Sequence, residues 1–444
     1  MKEFLQSSGL FNGILFGGAV ATFATSSILF NLNNSEAQAA LENSPKQIVD
    51  EVWQIVNNEF VDDTFNQVDW QVARQELLSR RYLSEREAYG AIRTALRQLG
   101  DPYTRFLTPP EFEQLTNQTT GELSGVGIRL EINPQTKMLT VTDLLENSPA
   151  SEADLKPGDE ILAIDDQPTS LMSAEQAAEL IKGEVGTELT LKVNRQGKGV
   201  FKLTLSRARI ELPAVHYFLR KEGQMKVGYI SLGEFNSHAA EQMKEAIEQL
   251  NEQQVAGFVL DLRWNPGGLL FASVDIARMW VETGAIVSTI DRKGGDRLFS
   301  ANRTALTDLP LVVLINGNSA SASEILAGAL QDNRRATLVG TSTYGKGTVQ
   351  AVHSLSNGAG LAVTISRYYP PSGIDINRRG IIPDIQTELT GEQRLLLEAK
   401  PQLIGTRNDP QYAQAVAVLR KRILSRASLN LQSLGRNWEG RLNN

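Results

Sequence analysis

The sequence predicts a multidomain α/β protein: an N-terminal helical domain, a β-rich domain with one main helix, and an α/β domain of layered sheet and helices. Three observations predict it. Apolar residues recur at helical spacing up to Leu99, at the alternation of strands from Thr119 to Arg207, and after that short apolar strands alternate with helical stretches. With 444 residues the chain has room for about three domains. Its 41% hydrophobic and 21% charged residues and net charge of −7 are ordinary globular values, and nothing in them points to nucleic acid as a partner.

Cysteine is absent, which excludes thiol nucleophiles, thiolate zinc sites, iron–sulfur clusters and disulfides together. The histidines are His216, His238 and His353. So few make a histidine-rich metal site unexpected and turn the search for a catalytic base to other residue types. His238 opens a predicted helix, His216 falls in a connector and His353 follows Gln350 by three residues, so all are read as structural or solvated.

Residues 1–39 carry Lys2, an uncharged run from Leu10 to Phe30 and the small-x-small site Ala37-Gln38-Ala39. This pattern reads as a cleaved export signal or, because the apolar run is long, as a membrane anchor that stays. Either way the remainder is delivered outside the cytoplasm. The helical domain, 40–117, starts with Ser44 as N-cap, Pro45 at the first helical position and Gln47 three residues after the cap. Ile48, Val52, Ile55 and Val56 follow on one face, and the helical pattern from Glu85 to Leu99 stops at Gly100-Asp101-Pro102. The β-rich domain, 118–208, has short apolar runs at Met138 to Val141 and Ile161 to Ile164. Ser173 caps a helix ending at Gly183. Leu189, Leu191 and Val193 alternate, Gln196 to Gly199 turns the chain, and Phe201, Leu203 and Leu205 alternate back as a hairpin.

The third domain, 209–444, places strands at Val227 to Leu232, Phe258 to Leu262, Leu311 to Ile315 and Thr337 to Val339. Helical stretches alternate with them at Ala239 to Leu250, Leu269 to Val281 and Ser323 to Leu330, which argues largely parallel strands. The tail from Lys400 holds eight basic residues against Asp409 and Glu439. It reads as a solvated helix face or as a contact with an anionic membrane surface.

Three stretches carry chemistry. Asn316 to Glu324 (NGNSASASE) lies between the strand Leu311 to Ile315 and a helix; a serine there gains an exposed hydroxyl and nearby unpaired N–H groups that can hold an oxyanion. A Ser-rich N-cap is the plainer reading. Asp261 to Gly268 (DLRWNPGG) also ends a strand, and its Gly-Gly can bring main-chain N–H groups against an anionic oxygen, or simply turn the chain. In Gly345-Lys346-Gly347 a buried lysine would lose hydration, drop in pKa and serve as a general base; a solvated lysine would not. Together the three supply nucleophile, oxyanion donors and base.

These stretches, with Gly100 to Phe106 (GDPYTRF), closely resemble the carboxyl-terminal processing, or tail-specific, serine peptidases, and the likeness covers nearly the whole exported chain. The resemblance implies that Ser321, the middle serine, is the nucleophile and Lys346 the general base. It also implies that Gln350 orients the lysine, that Asp332 matches an aspartate some members carry, and that the N–H groups of Gly267 and Ala322 hold the oxyanion. The residues by themselves do not single out one serine of the three. The β-rich block resembles a PDZ domain: Gly125, Val126, Gly127 and Ile128 fall in the carboxylate-binding loop, and Leu155 to Asp159 in its later turn. Such a block either captures C-terminal tails or only gates and props the catalytic domain.

No metal or cofactor is implied, and a monomer is expected. The runs Thr120 to Gly127 and Gly328 to Asn333 look like the cyanobacterial and plant branch. For that branch the resemblance implies processing of the C-terminal extension of the photosystem II reaction-centre precursor in the thylakoid lumen. General periplasmic or lumenal tail proteolysis is the alternative within the class. A catalytically silent PDZ adaptor, or an acyl-transfer enzyme on a crotonase-like layer, is the alternative outside it.

Overall fold

The computed structural model describes residues 21–23 and 45–442. Residues 1–39, read from the sequence as an export signal or anchor, therefore lie outside the described residues apart from Ala21–Phe23, whose backbone runs parallel to Gln350–Val352. No helix among the described residues is long and apolar enough to cross a membrane. The chain forms two compact units, one of residues up to Thr119 together with those from Ala214, the other of Thr120–Pro213.

In the first unit the helix Pro45–Glu59 buries Ile48, Val49, Val52, Trp53, Ile55 and Val56. Asp69 and Ser84 cap the next helices, Trp70–Ser79 and Glu85–Gln98, by accepting the exposed N–H groups of the first turn. Their apolar faces share one core with Leu355, Leu361 and Val363, far along the chain. After Gly100, at φ +64°, the turn leads into the strand Arg105–Leu107, paired antiparallel with Gly360–Ala362.

Two sheets complete this unit. The first runs in the order Val215–Glu222, Met225–Leu232, Gly257–Asp261, Leu311–Ile315, Ala336–Gly340, Ile385–Gln386; its first pair is antiparallel and the rest are parallel. Its inner strands are apolar on both faces because both faces are covered. Leu311, Val313 and Ile315 pack against the helices Ala239–Glu252, Leu270–Trp280 and Ala322–Asp332. Val312 and Leu314 meet Tyr412, Ala415 and Leu419 of the C-terminal helix Pro410–Leu442. The second sheet, Thr348–Ser354, Gly360–Tyr369, Ala285–Asp291 and Asp296–Ser300, is antiparallel and was not foreseen in the sequence. His216 lies within the strand Val215–Glu222 opposite Ser231, not in a connector. His353 pairs with Glu59 at 2.8 Å.

The second unit is an antiparallel sheet in the order Ile128–Ile132, Leu139–Leu144, Glu160–Ile164, Glu188–Arg195, Gly199–Ser206. Ile128–Ile132 is therefore an edge strand. The helix Ala174–Ile181, boxed at its start by Ser173 and Gln176, contributes Ala177 and Ile181 to the core. Val126 is buried and Gly127, at φ +80°, leaves no room for a Cβ against Ser148. The carbonyls of Val126 and Gly127 accept from Ala150 and Leu145 N–H, so this loop is pinned on its carbonyl side. Arg195 grips the buried Asp159 carboxylate through two 2.6 Å bonds and thereby fixes the Leu155 to Asp159 turn.

Candidate active site

The parallel sheet delivers three loops to one place. The strand Leu311–Ile315 ends in Asn316–Ala320, and Ser321 begins the helix Ala322–Asp332 with φ 56° and ψ −114°. A non-glycine residue held there costs on the order of 1–3 kcal/mol, so the surroundings must enforce it. Glu324 Oε2 accepts Ser321 N–H at 2.8 Å, and Tyr368 OH donates to the Ser321 carbonyl at 3.1 Å. The alternating serines have different fates. Ser319 Oγ donates to Leu262 O (2.8 Å) and Ser323 Oγ to Asn265 O (2.9 Å), whereas the buried Ser321 Oγ has no hydrogen-bond partner. Two serines tie the turn to the Asp261 to Gly268 loop, and the middle one is left available.

That loop folds against the same turn. Trp264 sits at φ 62° with its N–H on Asn316 Oδ1, and Asn265 Nδ2 holds Leu232 O at 2.9 Å. Gly267, at φ +107°, has no space for a side chain: a Cβ would lie 2.8 Å from Ser321 Cβ and 3.0 Å from Ala322 N. The Gly267 N–H, however, donates to Asn265 Oδ1 at 2.8 Å, an Asx turn closed within the loop. It is therefore occupied, in contrast to the role implied by the resemblance. Ala322 N–H lies in the first helical turn, where no intrahelical acceptor exists.

The third loop follows the strand Ala336–Gly340 and carries Lys346, which is 0% exposed. Burial removes hydration from its ammonium and Arg105 repels it, while Asp101 and Glu324 attract it; the balance lowers its pKa to about 7. Gln350, on the next strand, is buried. Its Nε2 donates to Thr348 and Thr364 hydroxyls at 3.0 and 3.1 Å, and its Oε1 has no partner.

One side chain that sequence reasoning missed joins the serine turn to the Lys346 loop. The Glu324 carboxylate is fully buried; beyond Ser321 N–H it accepts Lys346 N–H at 2.9 Å, Gly345 N–H at 2.7 Å and Thr343 Oγ at 2.5 Å. Burial raises its pKa even against these four donors. Its spacing of three after Ser321 is that of a capping box, and this local signal gave no hint of its second set of partners. Glu324→Gln keeps the shape but turns an NH2 toward N–H donors. It should lower kcat/KM about a hundredfold and stability by about 2–3 kcal/mol, since buried donors lose their acceptor. Steady-state kinetics and chemical denaturation check this.

Asp332 lies apart from these groups. It sits exposed on the last turn of the Ser321 helix, about 16 Å along the axis at 1.5 Å per residue, and accepts Ser372 N–H. Gly125, Val126, Gly127 and Ile128 belong to the other unit.

A layered α/β unit with this serine turn, preceded by a PDZ-like unit, defines a class of peptidase, and comparison with known proteins agrees. The model of peptidase family S41 matches residues 226–387 and a PDZ domain model matches 140–195. A carboxyl-terminal-processing protease of Synechocystis sp. is 43% identical over 394 residues, 88% of this chain and 90% of that protein. The chloroplastic carboxyl-terminal-processing peptidase 3 of Arabidopsis thaliana is 39% identical over 350 residues, 76% of this chain and 67% of that protein. The solved structure of a photosystem II D1 C-terminal processing protease is 34% identical, with a TM-score of 0.52 over 83% of this chain and 100% of that one. The chain belongs to peptidase family S41, in the branch of carboxyl-terminal-processing proteases found in cyanobacteria and plants.

Proposed function

We propose that this protein is an exported serine endopeptidase of the thylakoid lumen or periplasm, that Ser321 and Lys346 form its catalytic dyad, and that its substrate is the C-terminal extension of the photosystem II reaction-centre precursor. The observation that carries this reading is the combination of a strained, unpartnered serine hydroxyl with a fully buried lysine lowered to about 7. The neutral amine takes the Ser321 proton, and the oxygen attacks the scissile carbonyl. Ala322 N–H receives the oxyanion; Gly267 N–H joins it only by releasing Asn265. The Lys346 ammonium then protonates the leaving amine, Gln350 Oε1 serving as its acceptor, and water frees the acyl-enzyme. The PDZ-like unit takes the substrate tail on its Ile128–Ile132 edge, with the carboxylate in the Gly125 to Ile128 loop. The substrate assignment is supported by the similarity to the solved photosystem II D1 C-terminal processing protease and to the cyanobacterial and chloroplastic relatives.

The test is mass spectrometry of a peptide with a free apolar C-terminus, and of its C-terminal amide, incubated with the protein and with its Ser321→Ala variant. Cleavage by the unmutated protein only, and faster for the free carboxylate, is expected. Peptide that binds both proteins and is cut by neither would instead make this chain a PDZ adaptor.

A further inference from the structure

The mechanism above leaves the turn Gly100 to Phe106 without a task, yet this turn reaches the base. Lys346 Nζ stands 4.6 Å from the centroid of the Tyr103 ring. The ring is fixed from several sides. Asp101 Oδ1 accepts Tyr103 N–H at 3.1 Å, and the Tyr103 hydroxyl is hydrogen-bonded to Tyr344, two residues before the lysine. Asp101 Oδ2 accepts the Thr104 hydroxyl at 2.7 Å and the Thr364 hydroxyl at 2.6 Å, and Thr364 in turn accepts from Gln350 Nε2.

A lysine that works as a base is neutral before the reaction and charged within it. A carboxylate in direct contact would hold it charged throughout and abolish the base; an apolar wall would leave the buried ammonium without compensation. The face of an aromatic ring lies between these extremes, attracting the ammonium through its quadrupole while carrying no net charge.

We propose that Tyr103 is a positioning residue for the base: its ring face seats the Lys346 ammonium formed when the Ser321 proton is taken. This rests on the reading of Lys346 as the general base. The charged and titratable groups around the lysine come from each packed element: Asp101, Tyr103 and Arg105 from the turn, Glu324 from the serine helix, Tyr344 from its own loop and Tyr368 from the second sheet. Burial pushes the Tyr103 and Tyr368 phenols upward, so both stay neutral through the range in which Lys346 titrates.

The test titrates Lys346 directly by NMR of 13C-labelled lysine in the whole protein carrying Ser321→Ala, with Lys346→Arg identifying the resonance. Tyr103→Phe should leave the midpoint in place. Tyr103→Leu should lower it by about one pH unit, the size expected for loss of a desolvated cation–π contact. Pentafluorophenylalanine in place of Tyr103 keeps the ring shape while reversing its quadrupole, and should lower the midpoint at least as far even if the leucine variant folds poorly. With Ser321 intact, the acid limb of kcat/KM should move by the same amount. Midpoints that stay within a few tenths of a unit in the leucine and fluorinated proteins would overturn the proposal. This titration needs no catalysis, so absence of cleavage by the unmutated protein would defeat the peptidase mechanism separately.

Discussion

Ser321→Ala and Lys346→Ala should each lower kcat at least about ten-thousand-fold, and the double variant should be no worse than either, because nucleophile and base of the proposed dyad act as a unit. Ser319→Ala and Ser323→Ala should keep cleavage within about tenfold and lose about 1 kcal/mol of stability each, since their hydroxyls hold Leu262 O and Asn265 O. The sign of the pH dependence follows from the reactive form. In the proposed mechanism the base is the neutral amine, and burial places its loss of a proton at about 7, so kcat/KM should rise with pH through about 7 and level off above it. A rate flat between about pH 6 and 9, or cleavage surviving Ser321→Ala but lost in Ser323→Ala, would reassign the chemistry.

What the sequence made legible is what is local. The strand Leu311–Ile315, the hairpin Glu188–Arg195 with Gly199–Ser206, and the helix capped by Ser173 each declare themselves within about a dozen residues, through apolar period and turn chemistry. The choice among Ser319, Ser321 and Ser323 is not local. It depends on where the carbonyls of Leu262 and Asn265 fall, and these sit 57 and 58 residues earlier. Lys346 was readable as a lysine between glycines, but its burial was not: it depends on the turn carrying Asp101, Tyr103 and Arg105. The helical segment likewise read as a separate domain by its own periodicity. Its apolar face is in fact completed by Leu355, Leu361 and Val363, a pairing that no spacing within the segment encodes. The Asx turn that occupies Gly267 N–H was within reach, because Asn265 stands two residues before it.

The least legible feature should also give the largest loss of stability. Asp409 read as one acid in a basic tail; it is the N-cap of the C-terminal helix and a partner of Arg263, 146 residues away. The Arg263 side chain is 0% exposed. Its Nη2 bonds Asp261 Oδ2 and Asp409 Oδ2 at 2.6 Å each, and its Nη1 reaches Asp409 Oδ1 and Gln411 Oε1. Tyr229 OH adds a 2.8 Å bond to Asp261. Arg263→Met fills the volume but strands two buried carboxylates, which should cost about 3–5 kcal/mol in chemical denaturation at pH 7. Adding Asp409→Asn should restore part of that loss, because the penalty comes from the unpaired charge.

The pH dependence separates this from a packing defect. Burial would raise the Asp409 pKa, but the charge and hydrogen bonds of Arg263 hold it below the usual carboxylate range. In the unmutated protein this contributes stability above about pH 4 that is lost as pH falls through the lowered value. Without Arg263 only burial, the N-cap bonds and the Gly405 N–H remain, the pKa rises, and the sign reverses: the Arg263→Met protein should gain stability relative to the parent as pH falls from 7 toward 5. A difference between the two proteins that stays constant over that range would show that Asp409 remains charged and compensated without its arginine. Because Arg263 leads directly into the Trp264 to Gly268 loop, the same variant should also lower kcat, with activity returning in the double variant only as far as the loop is held again.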